Sequence, residues 1–518
     1  MKGVESLLLV LLSVHFCASY NVLVIFPFPG RSHSILGYGH VDRLLEAGHE
    51  VTFITPFPKK NTNPKLRIID ISENQAIIPE DNMNLEKILD KTTSHQNFTR
   101  FYQMITDVDE LTFKHVNVQK MLHDDKIKFD LVLAEWMMSE FGGAYAAYYN
   151  VPFISFASTE PHSLVLRTID DATNPAYVPT ILSSAMPPFG FIQRAQELFF
   201  DVFLQIFCDF FIGRRIATFY AESFAPLIAK QGRVPPSYSD IRYNASLLLG
   251  NSHVSLGSAI RLPQNYKAIG GYHINTNVPP LTEDLQRIFD SAQDGVIYFS
   301  MGSNLKSKYL PDNIKADLLK LFGSLKQTVL WKFEEVLPNL PKNVHILKWA
   351  PQPSILAHPK TKIFITHGGL LSTTETIHFG VPTIGIPVFG DQFTNVDRSV
   401  KKGFALRVDL SYDLVADLKV AIKEMLDETK YSKKAKELSL VYHDRPVSPG
   451  RELVHWVEHV IKTNGAPHLR SPALHVPWYQ KIFLDLAAVV LAITFLIKKL
   501  VKRLCCRKTV DGKKRKRD

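Results

Sequence analysis

The most constraining feature of this sequence is a recurring unit: an uninterrupted apolar run, a loop bearing glycine or proline, a helical pattern, then another apolar run. Its first copy starts with Asn21-Val22-Leu23-Val24-Ile25-Phe26, passes through a Gly/Pro loop and a helical stretch ending at Ala47-Gly48-His49, and closes on Glu50 to Thr55. A strand without polar alternation must be covered on both faces, which parallel sheets flanked by helices achieve. The order recurs as Phe129 to Ala134, Phe141 to Tyr149 and Pro152 to Phe156, and restarts at Val296 to Phe299. Val329 to Lys332, Val344 to Leu347, Ile363 to Thr366 and Pro382 to Ile386 continue it. The chain is therefore expected to be α/β, with a doubly wound sheet in each half.

A chain of 518 residues, 46% of them hydrophobic, exceeds what one core usually absorbs, so two domains are expected. The polar, proline-bearing stretch Ile274-Asn275-Thr276-Asn277-Val278-Pro279-Pro280 has the composition of a linker. It divides a first domain over 20–273 from a second over 281–477.

Charge separates the body from its end. The stretch from Lys498 to Asp518 holds eleven Lys/Arg and two Asp, so it carries +9 of the net +10. A nearly neutral body with a basic tip excludes a face that tracks nucleic-acid phosphates. Before that tip, Ile482 to Ile497 is apolar apart from Asp485 and Thr494, with Trp478 and Tyr479 ahead of it. This pattern predicts a transmembrane helix over 478–501 and a basic cytosolic tail over 502–518. Met1 to Ser19, with Lys2, a Leu/Val core and Ala18-Ser19, reads as a signal peptide, which places the body in a lumen. The ending Lys514-Arg515-Lys516-Arg517-Asp518 resembles a K-x-K-x-x retrieval signal, pointing to a single-pass protein of the endoplasmic reticulum membrane. Asn97-Phe98-Thr99 and Asn244-Ala245-Ser246 are candidate N-glycosylation sites.

Of four cysteines only Cys208 belongs to the folded body, which rules out a disulfide framework and cysteine-based metal sites. Cys505 and Cys506 are candidates for palmitoylation or plain thiols. Ten phenylalanines crowd the stretch from Phe189 to Phe224, read as an apolar pocket lining, a membrane-dipping segment or ordinary core helices. Asp107-Val108-Asp109 has the Asp-x-Asp form of a metal site but sits inside a helical pattern, and is read as a solvated helix face.

Chemistry concentrates between Trp349 and Gln392. The strand Ile363 to Thr366 runs into His367-Gly368-Gly369 and then a Ser/Thr-rich helix start. Glycines admit an anion to the backbone, Ser372, Thr373 and Thr374 offer amides and hydroxyls, and the helix dipole favours negative charge, so this is phosphate-site geometry. His367 adds a further donor. A strand, Gly-Gly and helix is also a common structural turn, and it is the surrounding spacing that decides.

Trp349, Gln352, His367, Gly369, Ser372, Glu375, Pro382, Pro387 and Asp391-Gln392 together resemble the signature of the UDP-glycosyltransferase family, closest to arthropod membrane-bound members. The resemblance implies two facing Rossmann-like domains, the GT-B arrangement, with acceptor held by the first and UDP-sugar by the second. It implies that Trp349 stacks on uracil, that Gln352 and Glu375 hold ribose hydroxyls, and that His367 and Ser372 with nearby amides grip the diphosphate. Asp391 and Gln392 would bond the sugar. Ser303, in Phe299-Ser300-Met301-Gly302-Ser303-Asn304, and Arg261 are further donor contacts by the same resemblance. His33 stands in the loop where the family keeps its general base, and Glu135 where it keeps an Asp partner. Leu371 departs from the family, which commonly has Asn there.

The implied reaction is inverting, metal-independent transfer of a hexose, most readily glucose from UDP-glucose, to a hydroxyl of a small lipophilic acceptor. UDP-sugar is a co-substrate, no cofactor or metal is expected, and a homo-oligomer is left open. The competing readings are a non-catalytic nucleotide-sugar or ligand-binding membrane protein of the same fold, and transfer to a lipid acceptor.

Overall fold

The computed structural model describes residues 19–78, 84–90, 98–181, 183–257, 259–275 and 277–514. Apart from Ser19 the leader lies outside them, as do Asn97 and residues 515–518.

Two parallel sheets organise the body. The first has the order β3-β2-β1-β4-β5-β6-β7, from β1 (Asn21–Ile25), β2 (Glu50–Thr55), β3 (Leu66–Asp70), β4 (Leu131–Trp136), β5 (Phe153–Ala157), β6 (Leu247–Gly250) and β7 (Tyr266–Ala268). The second has the order β10-β9-β8-β11-β12-β13, from β8 (Val296–Ser300), β9 (Thr328–Lys332), β10 (Val344–Leu347), β11 (Thr361–Thr366), β12 (Thr383–Gly385) and β13 (Ala405–Arg407). Every pairing is parallel, and β4, β5 and β8 are buried at every position, as their unbroken apolar runs require. In each sheet the strand order reverses once, between β1 and β4 and between β8 and β11. Ligands of open α/β sheets bind at the carboxyl ends of the strands flanking such a reversal.

Nine of the described helices position the site, complete the core or form the C-terminal end. They are α1 (Arg31–Glu46), α2 (Phe98–Lys114), α3 (Gly142–Tyr149), α4 (Phe191–Phe207), α5 (Gln352–Ala357), α6 (Leu370–Phe379), α7 (Gln392–Lys401), α8 (Pro449–Lys462) and α9 (Leu484–Lys514).

The expected boundary at residue 281 does not divide the molecule cleanly. Leu453, Val457 and Val460 of α8 are fully buried in the apolar cluster that holds Val22, Val24, Leu36 and Val41 of the first sheet and α1. His49 Nε2 lies 3.3 Å from Glu458 Oε1 in the same contact. The described residues up to Arg470 form one compact unit, and a second begins at Ser471.

Within that second unit the expected span over 478–501 finds no support. Among the described residues no helix is long and apolar enough to cross a membrane. Trp478–Lys481 is a separate turn, and Phe483 takes a positive φ of 56° before α9 starts. Asp485 stands in the first turn of α9, with Lys498 and Lys499 further along. The uncharged run between them, Leu486 to Ile497, covers about 18 Å of helix against a hydrocarbon layer of about 30 Å.

The phenylalanine-rich segment also departs from the core-helix reading. On α4 the buried positions include Glu197 and Asp201, whereas Phe191, Phe199 and Phe203 are exposed. Glu197 is buried because it terminates a loop: it accepts from the Thr180 amide at 2.8 Å and from Gln193 at 2.7 Å.

Candidate active site

The first half of the site stands at the reversal between β1 and β4. β1 ends at Ile25, the chain passes Phe28 and Gly30, and His33 falls in the first turn of α1 rather than in the loop that the sequence suggested. Glu135 lies near the end of β4. His33 Nδ1 and Glu135 Oε1 are 2.5 Å apart, and the Glu135 side chain is fully shielded from solvent. Burial works to lower the His33 pKa, but the charge and hydrogen bond of Glu135, together with the charge of Asp391, raise it above its ordinary 6.5. A carboxylate on one ring nitrogen leaves the other to take a proton from a substrate. Phe28 packs against the imidazole with ring centroids 4.5 Å apart, fixing its plane.

The second half stands at the reversal between β8 and β11. His367-Gly368-Gly369 follows β11, and Gly369 is the N-cap of α6. Gly302, after β8, takes a φ of 85°, and a Cβ there would sit 2.5 Å from His367 Cε1. A Cβ on Gly369 would meet His367 Nε2 at 2.7 Å, so the imidazole is held between two glycine backbones. Lys332 Nζ donates to the Gly302 carbonyl at 2.8 Å and to Glu334 at 2.7 Å. Burial, and then the Lys332 charge, push His367 down to about 4, so it meets a ligand as a neutral ring. Together with the first-turn amides of α6 this is an anion cradle.

Around it, Gln352 at the start of α5 donates to Glu375 Oε2 at 2.6 Å and to Ser372 Oγ at 3.1 Å. Burial pushes Glu375 up to about 7, a carboxyl that hydroxyl donors would draw toward its ionised form. Trp349 is 58% exposed, which leaves an indole face for a planar ring, and the Arg31 guanidinium lies 5.7 Å from its centroid. Asp391 Oδ2 accepts from Asn395 at 2.8 Å, and burial raises its pKa.

Two of the expected contacts gain detail. The Thr373 hydroxyl donates back to Gly369 O at 3.1 Å, so that side chain serves its own helix. Gln392 is buried, and its Oε1 accepts from the amides of Val388 at 2.9 Å and Phe389 at 3.2 Å, so its carbonyl end is already engaged. Leu371 packs against the apolar cluster of the first sheet, which explains why an amide is absent there. Ser303 is half-buried beside Gly302, and Arg261 is exposed. Asn244 is half-buried with its Oδ1 accepting from Arg470 at 2.8 Å, and Ser246 of the same sequon is fully buried.

The profile of the family described as UDP-glucoronosyl and UDP-glucosyl transferase matches residues 21–516. The chain belongs to this family. It is a glycosyltransferase. Among curated relatives, it is 32% identical to UDP-glycosyltransferase UGT5 of Dactylopius coccus, over 94% of this chain and 93% of that protein. It is also 32% identical to UDP-glucosyltransferase 2 of Dactylopius coccus, over 96% of each. UDP-glucuronosyltransferase 2B15 of Homo sapiens is 28% identical over 100% of both. Among solved structures, spinosyn forosaminyltransferase SpnP superposes with a TM-score of 0.56 at 16% identity, over 86% of this chain and 100% of that one. A UDP-glucosyltransferase from Polygonum tinctorium gives a TM-score of 0.55 at 15% identity, over 86% of this chain and 99% of that one. These two likenesses establish the GT-B fold.

Sequence reasoning missed several neighbours of the site. Lys332 is the one polar residue ending the apolar run Val329 to Lys332, and that was its only signal. His273, with Nε2 3.8 Å from Glu375 Oε1 and neither ring nitrogen hydrogen-bonded, lies just ahead of the stretch read as linker. Asp107 pairs with Arg215 at 2.8 Å as a surface residue should, but Asp109 is turned into a pocket beside Glu135.

Proposed function

We propose that this glycosyltransferase moves a hexose, glucose foremost, from a UDP-sugar to a hydroxyl of a small lipophilic acceptor, with inversion at the anomeric carbon. The observation that carries this reading is the 2.5 Å contact of His33 with a buried carboxylate, in a site where Asp391 is close enough to act on the imidazole charge. His33 Nε2 takes the acceptor proton while the acceptor oxygen attacks the anomeric carbon. Glu135 holds the ring and stabilises the imidazolium that forms. UDP leaves toward His367 and the N-terminus of α6, where amide donors meet its charge, so the account calls for no metal.

In this reading Trp349 carries the uracil, Gln352 and Glu375 the ribose, Ser372 and the backbone around Gly369 and Ser303 the diphosphate, and Asp391 the sugar hydroxyls. Gln392 contributes only through its amide nitrogen, and Arg261 borders the donor. Glucose is favoured because a relative bearing the name UDP-glucosyltransferase 2 is among the more similar proteins. Entry into a secretory lumen is part of the reading and rests on the leader-like Met1 to Ser19. The test is UDP release by the full chain offered UDP-glucose, UDP-galactose or UDP-glucuronate with a panel of phenols and sterols. Acceptor-dependent release fastest with UDP-glucose is expected. Release fastest with UDP-glucuronate overturns the choice of sugar, and release that ignores the acceptor overturns transfer.

A further inference from the structure

The pocket that runs inward from Glu135 is walled by apolar side chains, among them Phe28, Ile105, Met137 and Phe141. Phe28 is also the ring packed on His33, so this pocket borders the catalytic pair. Against that apolar wall three polar groups are set. Glu135 Oε2 and Tyr145 Oη are buried and have no hydrogen-bond partner. Asp109, from α2, accepts the Ser139 hydroxyl on Oδ2 and has no described donor on its other oxygen. Tyr145, from α3, is 2% exposed, and Asp109 is close enough to act on it electrostatically.

Buried polar groups in folded proteins are nearly always hydrogen-bonded, because an unmade bond inside an apolar wall is costly. Where such groups line a cavity beside a catalytic pair, a hydroxyl brought by a ligand can complete them as a buried water would. Glu135 serves His33, whose Nδ1 it meets through Oε1. Tyr145 and Asp109 are contributed by other elements and take no part in that contact.

We propose that Asp109 and Tyr145 form a second polar anchor for the acceptor, so that the preferred acceptors are apolar scaffolds carrying a second hydroxyl besides the one glycosylated. A hydroxyl suits both partners at once: it accepts from the Tyr145 O–H and donates to the Asp109 carboxyl. A methyl group leaves both bonds unmade. Burial pushes Asp109 up to about 7, which lets it stand in an apolar wall without a cationic partner. The inference rests on the assignment of His33 and Glu135 as the catalytic pair.

The experiment measures kcat/KM for matched acceptors, 2-naphthol against 2,6-dihydroxynaphthalene and 1-naphthol against 1,5-dihydroxynaphthalene, using the full chain and the UDP-sugar released fastest. Wild type is expected to favour at least one diol by about ten-fold beyond the two-fold statistical factor, which is the size of one or two hydrogen bonds. Tyr145→Phe and Asp109→Leu are each expected to cut that diol's kcat/KM by about ten-fold while the mono-ol falls by less than about three-fold. Tyr145→Phe removes a single oxygen, so it reports on the bond without changing the shape of the pocket. No preference in wild type, or a diol-to-mono-ol ratio that both variants leave unchanged, overturns the anchor while transfer to 1- or 2-naphthol keeps the catalytic reading intact. Equal losses on both acceptor types also overturn it, since they mark a structural role. Absence of transfer to all four acceptors overturns the anchor and the catalytic reading together.

Discussion

At the residue scale the chemistry turns on which proton state each buried group holds. His33 is raised by Glu135 and Asp391 against the lowering effect of burial, so it stays protonated to a higher pH than an ordinary imidazole. A general base must be neutral, and turnover should therefore rise with pH through an acid limb above 6.5. Glu135→Gln removes the largest raising influence and leaves burial, so the limb should move to lower pH while the plateau falls. A kcat/KM profile between pH 5 and 9 checks this, and a limb that stays in place would detach Glu135 from His33. The catalytic pair was legible in the sequence only through its family resemblance. Nothing about a lone loop histidine and a strand-end glutamate predicts that they touch across 102 positions of chain. Asp109 was misread for a related reason: helical periodicity identifies a face but not what covers it.

At the scale of elements, the strand-end loops make the site. The two glycine backbones around His367 belong to different loops, one after β8 and one after β11, which adjoin because those strands pair from Phe299↔Ile365 to Ser300↔Thr366. Gly302→Ala places a methyl carbon 2.5 Å from the imidazole at a φ of 85° that L-residues avoid. It should weaken UDP binding by about ten-fold or more, read by calorimetry, while leaving the fold intact by circular dichroism. The parallel strands themselves were legible, since unbroken apolar runs allow few other placements. The orientation of α4 was not, because its phenylalanines suggest an inward face and the structure buries Glu197 and Asp201 instead, with Glu197 tied to the loop at Thr180 and Ser183. The C-terminal helix was expected to span a membrane on hydropathy, and its uncharged run is bounded by Asp485 and the paired lysines.

At the scale of the whole molecule, the body up to Arg470 coheres because the chain returns to its beginning. α8 follows the second sheet in sequence yet completes the core of the first, an arrangement that no local pattern announces. Leu453 is fully buried there, so Leu453→Ala should destabilise the first half by about 2–5 kcal/mol, seen as a lower denaturation midpoint. An unchanged midpoint would show that α8 is dispensable to that core. Within that body His33 and Asp391 lie close enough to interact electrostatically, and the central claim is that proton removal and donor binding fall to different residues. The most direct measurement compares wild type with His33→Ala for acceptor-dependent UDP release and for UDP affinity in the same preparation. The account predicts turnover lower by about 10²- to 10⁴-fold, with the UDP dissociation constant changed by less than about two-fold. Undiminished turnover, or UDP affinity falling as far as turnover does, would contradict it.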